Sequence, residues 1–118
     1  MATTVTLEKT RWENERAYTA RWALANGETG NPLEFVSYVD RSVQVTGTFG
    51  AGGTVVLEGS NDGTNYHTLT DPQGNPLSFT AAGLLAVTEV CVFVRPRVTG
   101  GDGTTALTIT LCIRRTPR

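Results

Sequence analysis

The sequence has little of the material that catalysis and metal binding usually need. It contains one histidine, two cysteines and one methionine in 118 residues. His67 has no second histidine with which to form a metal pair, and the HExxH and CxxC spacings are both missing. No GxSxG nucleophile motif is present, and any eleven acidic residues contain carboxylate pairs by chance. The sequence therefore predicts no enzyme, no catalytic residue, no bound metal and no cofactor.

Charge is also scarce. Charged residues make up 18% of the chain, and they balance to a net charge of −1. Such a balance offers no overall attraction to nucleic acid or to an anionic membrane. No apolar run approaches the roughly 18–20 residues of a membrane helix, and no secretory signal is visible at the N-terminus. We therefore expect a protein made in a cytoplasm, with neither nucleic acid nor membrane as its partner.

The residues that are abundant favour β-structure. Thirteen glycines separate runs rich in valine and threonine, a composition typical of strands joined by tight turns. Apolar and polar residues alternate within these runs, and the runs recur about every 8–12 residues. The sequence predicts a single all-β domain over 1–118, an antiparallel β-sandwich or jelly roll of seven to nine short strands. Residues 1–10 are a candidate extended N-terminal arm, and residues 114–118 are expected to form a frayed basic tail.

The C-terminal part predicts a β-hairpin with a definite register. Two alternating strands, 90–99 and 104–113, flank a Gly-Gly-Asp-Gly loop. When Thr99 pairs with Thr104, paired residue numbers sum to 203 and the large aliphatic residues fall on one face. The core residues predicted from this register are Val92, Val94, Ile109 and Leu111. A second hairpin is predicted upstream, between 43–49 and 55–57, with paired numbers that sum to 104.

The opposite face of the C-terminal hairpin is predicted to hold Cys91 against Cys112. Cross-strand β-carbons lie about 4.5–5.5 Å apart, which exceeds the about 3.5–4.5 Å of a disulfide. In a reducing cytoplasm we therefore expect two thiols. Arg95 and Arg97 point to this same face.

Five residues are candidates for a partner interface. Val5 and Leu7 could add to an open sheet edge of a neighbouring chain, where backbone hydrogen bonds supply the affinity. Trp12, Arg95 and Arg97 belong to the residue types that dominate binding hot spots, although a tryptophan is as easily explained by the core.

One turn has two interpretations. Asn61, Asp62 and Asn65 could offer oxygen ligands to calcium, but asparagine and aspartate are also the residues that turns favour. The run from Leu57 to Tyr66, with the later run from Phe93 to Pro96, resembles pieces of the discoidin sandwiches. That resemblance implies a carbohydrate-binding module, for instance on a phage tail or fibre.

A wider resemblance covers Val43 to Leu111. This region is similar to small structural proteins of tailed bacteriophages, which are often head decoration (cement) proteins. The segments that carry the likeness are 43–49, 59–65, 71–75, 77–84 and 95–101. The resemblance implies a virion protein on the outer surface of the capsid, which binds the major capsid protein as a homo-dimer or homo-trimer and stabilises the lattice. The alternatives are the sugar-binding module and another phage structural subunit, in the tail tube or at head completion.

Overall fold

The protein is built from β-strands. A computed structural model describes the backbone of residues 4–5 and 8–12 and the whole of residues 17–34 and 36–115. Every regular element in these residues is a strand, as the sequence predicted. The strands are β1 Thr4–Val5, β2 Glu8–Trp12, β3 Ala17–Ala25, β4 Thr29–Gly30, β5 Asp40–Thr48, β6 Thr54–Ser60, β7 His67–Thr68, β8 Ser78–Phe79, β9 Gly83–Ala86, β10 Phe93–Gly100 and β11 Ala106–Arg114. Seven of them have four residues or more, and four have two. In this part of the chain there is no helix that could span a bilayer.

The strands form two sheets. Sheet A has the order β1-β4-β10-β6-β7, with β8 also paired to β6, and sheet B has the order β2-β3-β11-β5-β9. All pairs are antiparallel except β1 with β4. The inner faces of the two sheets enclose one core, so the predicted β-sandwich is confirmed. Its largest fully buried side chains come from both sheets and include Trp22, Leu24, Val43, Val45, Val55, Leu57, Val94, Leu107, Ile109 and Leu111.

Strand β11 is the centre of sheet B. It pairs with β3 on one side and with β5 on the other through nine residue pairs each. Its inward residues Leu107, Ile109, Leu111 and Ile113 are at most 1% exposed. The residues between them, Thr108, Thr110 and Cys112, face outward. The alternation of apolar and polar residues in the sequence therefore arises because one face of this strand is buried.

The predicted C-terminal hairpin is wrong. β10 pairs with β6 and β4 in sheet A, whereas β11 pairs with β3 and β5 in sheet B. Val94, Ile109 and Leu111 are buried as predicted, but Val94 reaches the core from the opposite sheet. Val92 precedes β10 and is only half-buried. Alternation determines which face of a strand is buried, and it leaves open which strand lies beside it.

The cysteines are separated for the same reason. Cys91 is buried next to the start of β10, while Cys112 is exposed on the outer face of sheet B. The predicted contact between them is therefore wrong, and both are free thiols as expected. The upstream hairpin is wrong as well, because β5 belongs to sheet B and β6 belongs to sheet A. Both glycine-rich loops cross between the sheets.

Asp102 ties these two crossing loops together. Its carboxylate accepts hydrogen bonds from the backbone N–H of Ala51 at 2.9 Å and from the backbone N–H of Thr104 at 2.8 Å. It also accepts the Thr104 hydroxyl, at 2.6 Å. The hydroxyl of Thr105 donates to the carbonyl of Phe49 at 2.8 Å. These bonds satisfy backbone N–H and C=O groups of the two loops. In a hairpin, such groups would be paired within one sheet; here the side chains of Asp102 and Thr105 pair them where the chain passes from one sheet to the other.

The N-terminal segment takes part in the sandwich. Thr4 and Val5 pair in parallel with Thr29 and Gly30 of the same chain, and β2 pairs with β3. Residues 4–5 and 8–12 therefore belong to the sheets and not to a detached arm. At the other end, Arg114 is the last residue of β11, and the rest of the predicted tail beyond Arg115 lies outside the described residues.

We predict that Leu111→Ala lowers the free energy of unfolding by about 2–5 kcal/mol, because it leaves a cavity at the centre of sheet B. The control is Thr110→Ala, the neighbouring residue on the outer face, which should cost less than about 1 kcal/mol. Urea unfolding of both variants measures the difference. Equal losses would contradict the assignment of inner and outer faces.

A second prediction concerns acid. The Thr104 hydroxyl and the Ala51 and Thr104 N–H groups lower the pKa of Asp102 from 3.8 to about 2. Because the folded pKa lies below the unfolded one, the stabilisation is present above pH 4 and is lost as the pH falls through about 2. The urea midpoints of the wild type and of Asp102→Asn should therefore differ near neutral pH and converge in strong acid. A difference that is independent of pH would contradict this role for the carboxylate.

Candidate binding surfaces

The outer face of sheet A carries a charged cluster formed by β6 and β10. Glu58 lies opposite Arg95 in the register, and Arg97 follows two residues later on the same face. One carboxylate oxygen of Glu58 accepts a hydrogen bond from Nε of Arg95 at 2.8 Å, and the other accepts one from Nε of Arg97 at 3.2 Å. The arginines alternate along β10 with the buried residues Val94, Pro96 and Val98. As predicted, both arginines therefore point away from the core.

An aromatic ring completes this cluster. The guanidinium carbon of Arg95 lies 3.6 Å from the centroid of the Tyr66 ring, a cation–π contact. Burial raises the pKa of the Tyr66 hydroxyl, so this group stays neutral at physiological pH. We call Glu58, Tyr66, Arg95 and Arg97 the arginine cluster. Tyr66 and Glu58 were not among the residues selected from the sequence, because only the register reveals that they meet the two arginines.

The arginine cluster combines a buried acceptor with accessible arginines. The Glu58 side chain is 4% exposed, whereas those of Arg95 and Arg97 are 28% and 44% exposed. The carboxylate accepts its two hydrogen bonds from the Nε atoms of the arginines, and both arginine side chains remain partly exposed to solvent. Two positive charges and one negative charge leave the cluster cationic. Such guanidinium groups suit the binding of a carboxylate on a partner.

A cleft of about 480 Å³ lies at one end of sheet A. Its polar wall is the turn after β6, and Asp62 holds that turn. The Asp62 carboxylate accepts hydrogen bonds from the backbone N–H groups of Thr64 and Asn65 at 2.8 Å, from the Asn65 amide at 2.9 Å and from the Ser60 hydroxyl at 2.8 Å. These bonds, those of Asn65 foremost, hold the pKa of Asp62 well below its ordinary value. The carboxylate thus has a turn-forming role, the role that its residue type suggested.

Two other polar residues of the cleft, Asn61 and Glu89, also make hydrogen bonds within the protein. The side-chain oxygen of Asn61 accepts the backbone N–H of Val92 at 3.1 Å. Glu89 accepts the backbone N–H of Thr70 at 2.8 Å and the hydroxyl of the same residue. Burial raises the pKa of the Cys91 thiol, which disfavours the reactive thiolate. His67 is exposed at the rim. In the described part of the chain, no three His, Cys, Asp or Glu residues are grouped as metal ligands.

The remaining interface candidates lie on other strands than the arginines, although Val5 belongs to the same sheet: its neighbour Thr4 pairs with Thr29, and Thr29 pairs with Arg97. The backbone of Val5 pairs with Gly30 at the edge of sheet A, and that of Trp12 pairs with Ala17 in sheet B. Leu7 lies outside the described residues. Trp22 is the fully buried tryptophan of the core, and its indole N–H donates to the carbonyl of Asn31 at 2.9 Å. Only Arg95 and Arg97 are brought together.

Comparisons with known proteins add one structural likeness. No protein-family model matches the chain, and no curated protein does. Among solved structures, a cupin domain from Bordetella pertussis Tohama I is similar, with 16% sequence identity and a TM-score of 0.47. The match covers 97% of this chain and 98% of that one. A likeness at this level supports no conclusion about activity.

We predict that Glu58→Ala lowers the free energy of unfolding by about 1–3 kcal/mol, because it leaves two guanidinium groups without their buried acceptor. The matched control is Asp40→Ala, which breaks the 2.9 Å ion pair with Arg114, whose side chain is 65% exposed. An exposed pair contributes about 0–1 kcal/mol. If the two substitutions cost the same in urea unfolding, Glu58 is not the organising residue of the cluster.

Proposed function

We propose that this chain is a non-catalytic structural protein of a bacteriophage virion, a decoration protein that binds the outside of the capsid and stabilises its lattice. Its partner in this proposal is the major capsid protein. The resemblance of residues 43–111 to phage structural proteins motivates the proposal. The arginine cluster is the observation that carries it, because two partly exposed guanidinium groups are hydrogen-bonded there to one buried carboxylate.

The physical argument concerns the cost of ordering. Long arginine side chains lose rotamer freedom when they bind, which weakens most surface contacts. Here Glu58 and the Tyr66 ring already fix Arg95, and Glu58 fixes Arg97. A partner that meets this surface therefore gains two oriented guanidinium groups at small entropic cost. Arginine and tyrosine are also the residue types enriched at interface hot spots.

The chemistry of the cluster specifies the complementary surface. Two guanidinium groups around one carboxylate call for acidic side chains on the facing capsid subunit. Because the arginines are partly exposed, the attraction should weaken as salt is added.

A carbohydrate-binding module is the second candidate. The observation that favours it is the cleft of about 480 Å³, whose lining includes Asn61, Asn65, His67 and Glu89. Amides and carboxylates above an apolar floor can orient the hydroxyl groups of a sugar. Against it, Asn65 already donates to Asp62 within the turn, and Asn61 already accepts the backbone N–H of Val92.

We predict that Arg97→Ala weakens binding to undecorated phage heads by at least tenfold, about 1.4 kcal/mol. Arg114→Ala is the matched control, because it removes an arginine from the outer face of the other sheet. Cosedimentation with heads measures both affinities, and urea unfolding verifies that both variants fold. Wild-type affinity in Arg97→Ala, or an equal loss in Arg114→Ala, would contradict the proposed surface.

A glycan array separates the two candidates. Specific binding of the isolated protein to a glycan, lost in Asn61→Ala but retained in Arg97→Ala, would favour the sugar-binding module. Binding to heads that depends on Arg97 and a blank array would favour the decoration protein.

A further inference from the structure

The edge strands of the two sheets are not equally protected against pairing. Edges are normally kept from pairing by short length or by charge. Among the described strands, β1, β7 and β8 have two residues each. At one edge of sheet B, the five residues of β2 include Glu8, Lys9 and Arg11. The other edge of sheet B, β9, has neither form of protection.

Strand β9 is an apolar edge. It consists of Gly-Leu-Leu-Ala and pairs with β5 on one side only. Residues 77–88 around it contain no charged residue and no proline. Leu84 is 62% exposed, more than any other large apolar residue that the structure describes, and Leu85 is 37% exposed. No backbone hydrogen bond joins the free side of β9 to any other described residue.

The two leucines occupy different faces of sheet B. Leu84 lies opposite Gln44 on the outer face, and Leu85 lies opposite Val43, whose side chain belongs to the core. The side chains of a strand added beyond β9 would therefore pack beside Leu84 on the outer face and beside Leu85 on the inner face. The added strand would also satisfy the backbone groups on the free side of β9.

We propose that β9 pairs in antiparallel orientation with β9 of a second copy of this chain, so that two copies of sheet B become one continuous sheet. A two-fold axis sets the residue at the axis against its own equivalent and brings its neighbours close together, which repels charged strands and is tolerated by an uncharged one. In an antiparallel pair, residues directly opposite each other have their side chains on the same side of the sheet. The symmetric registers therefore set Leu84 against Leu84 of the second copy, or Leu85 against Leu85.

A second copy fits better than an unrelated strand because the apolar segment is its own complement. Either symmetric register matches apolar side chains with apolar side chains and leaves no charge buried. The arginine cluster, by contrast, is cationic and would repel a second copy of itself. This inference does not rest on the capsid proposal, and it can fail or succeed without it.

The test uses the purified full chain. We expect sedimentation velocity from roughly 1 to 100 µM, the range of micromolar dissociation constants, to reveal a dimer. Leu84→Lys places two like charges near the two-fold axis in either register and should weaken the dimer at least tenfold. The control is Ala23→Lys, on β3 of the same outer face but away from β9. Since both positions are exposed, urea midpoints close to wild type should confirm that both variants fold.

Two further measurements locate the contact. Amide exchange over 83–86 should slow as the wild type dimerises, and it should not slow in Leu84→Lys. In a Cys112→Ser background, a short thiol-to-thiol cross-linker should join Leu84→Cys into a covalent dimer in either register, whereas it should leave Ala23→Cys monomeric. A monomer throughout the concentration range, or a dimer that Leu84→Lys leaves intact, would overturn the proposal. Loss of the dimer in Ala23→Lys alone would also overturn it, since association would then occur through the sheet face.

Discussion

The fold depends on the passage of the chain between two sheets at the β5–β6 and β10–β11 loops. Each crossing sends one amphipathic strand to sheet A and its neighbour in sequence to sheet B, so that their apolar faces meet across the core. Without the crossings, β10 and β11 would lie side by side, and their shared apolar face would need another cover. Asp102 and Thr105 make the crossings possible by taking up loop hydrogen-bonding groups.

The sequence contained the strands and their buried faces, but not their partners. The burial of Leu107, Ile109 and Leu111 could be predicted from their alternation, because it depends only on which side of one strand faces the core. The partner of that strand depends on hydrogen bonds between distant loops, such as that of Ala51 with Asp102, 51 positions apart. A glycine-rich loop of four residues fits a hairpin and a crossing equally well, so the hairpin interpretation failed while the burial interpretation held for Val94 and Ile109.

The candidate site was predictable to a similar extent. Arg95 and Arg97 could be selected, and placed on the outer face, from their alternation with Val94, Pro96 and Val98. The residue that accepts their hydrogen bonds, Glu58, could not be predicted. It meets the arginines because β6 pairs with β10, and this pairing contradicts both predicted hairpins. The sequence alone also gives no reason to distinguish β9 from other apolar runs. Its significance comes from its position at the edge of sheet B.

The two proposed contacts use different parts of the sandwich and different physics. The arginine cluster offers oriented charge on the outer face of sheet A, while β9 offers backbone groups and exposed leucines at the edge of sheet B. A subunit with both contacts could bind a lattice through one sheet and a neighbouring copy through the other. Electron cryomicroscopy of the phage particle tests the capsid role most directly. We expect this sandwich on the outer surface of the head, with Arg95 and Arg97 facing the capsid. Density in the tail, or a decorated head in which the outer face of sheet A points to solvent, would contradict it.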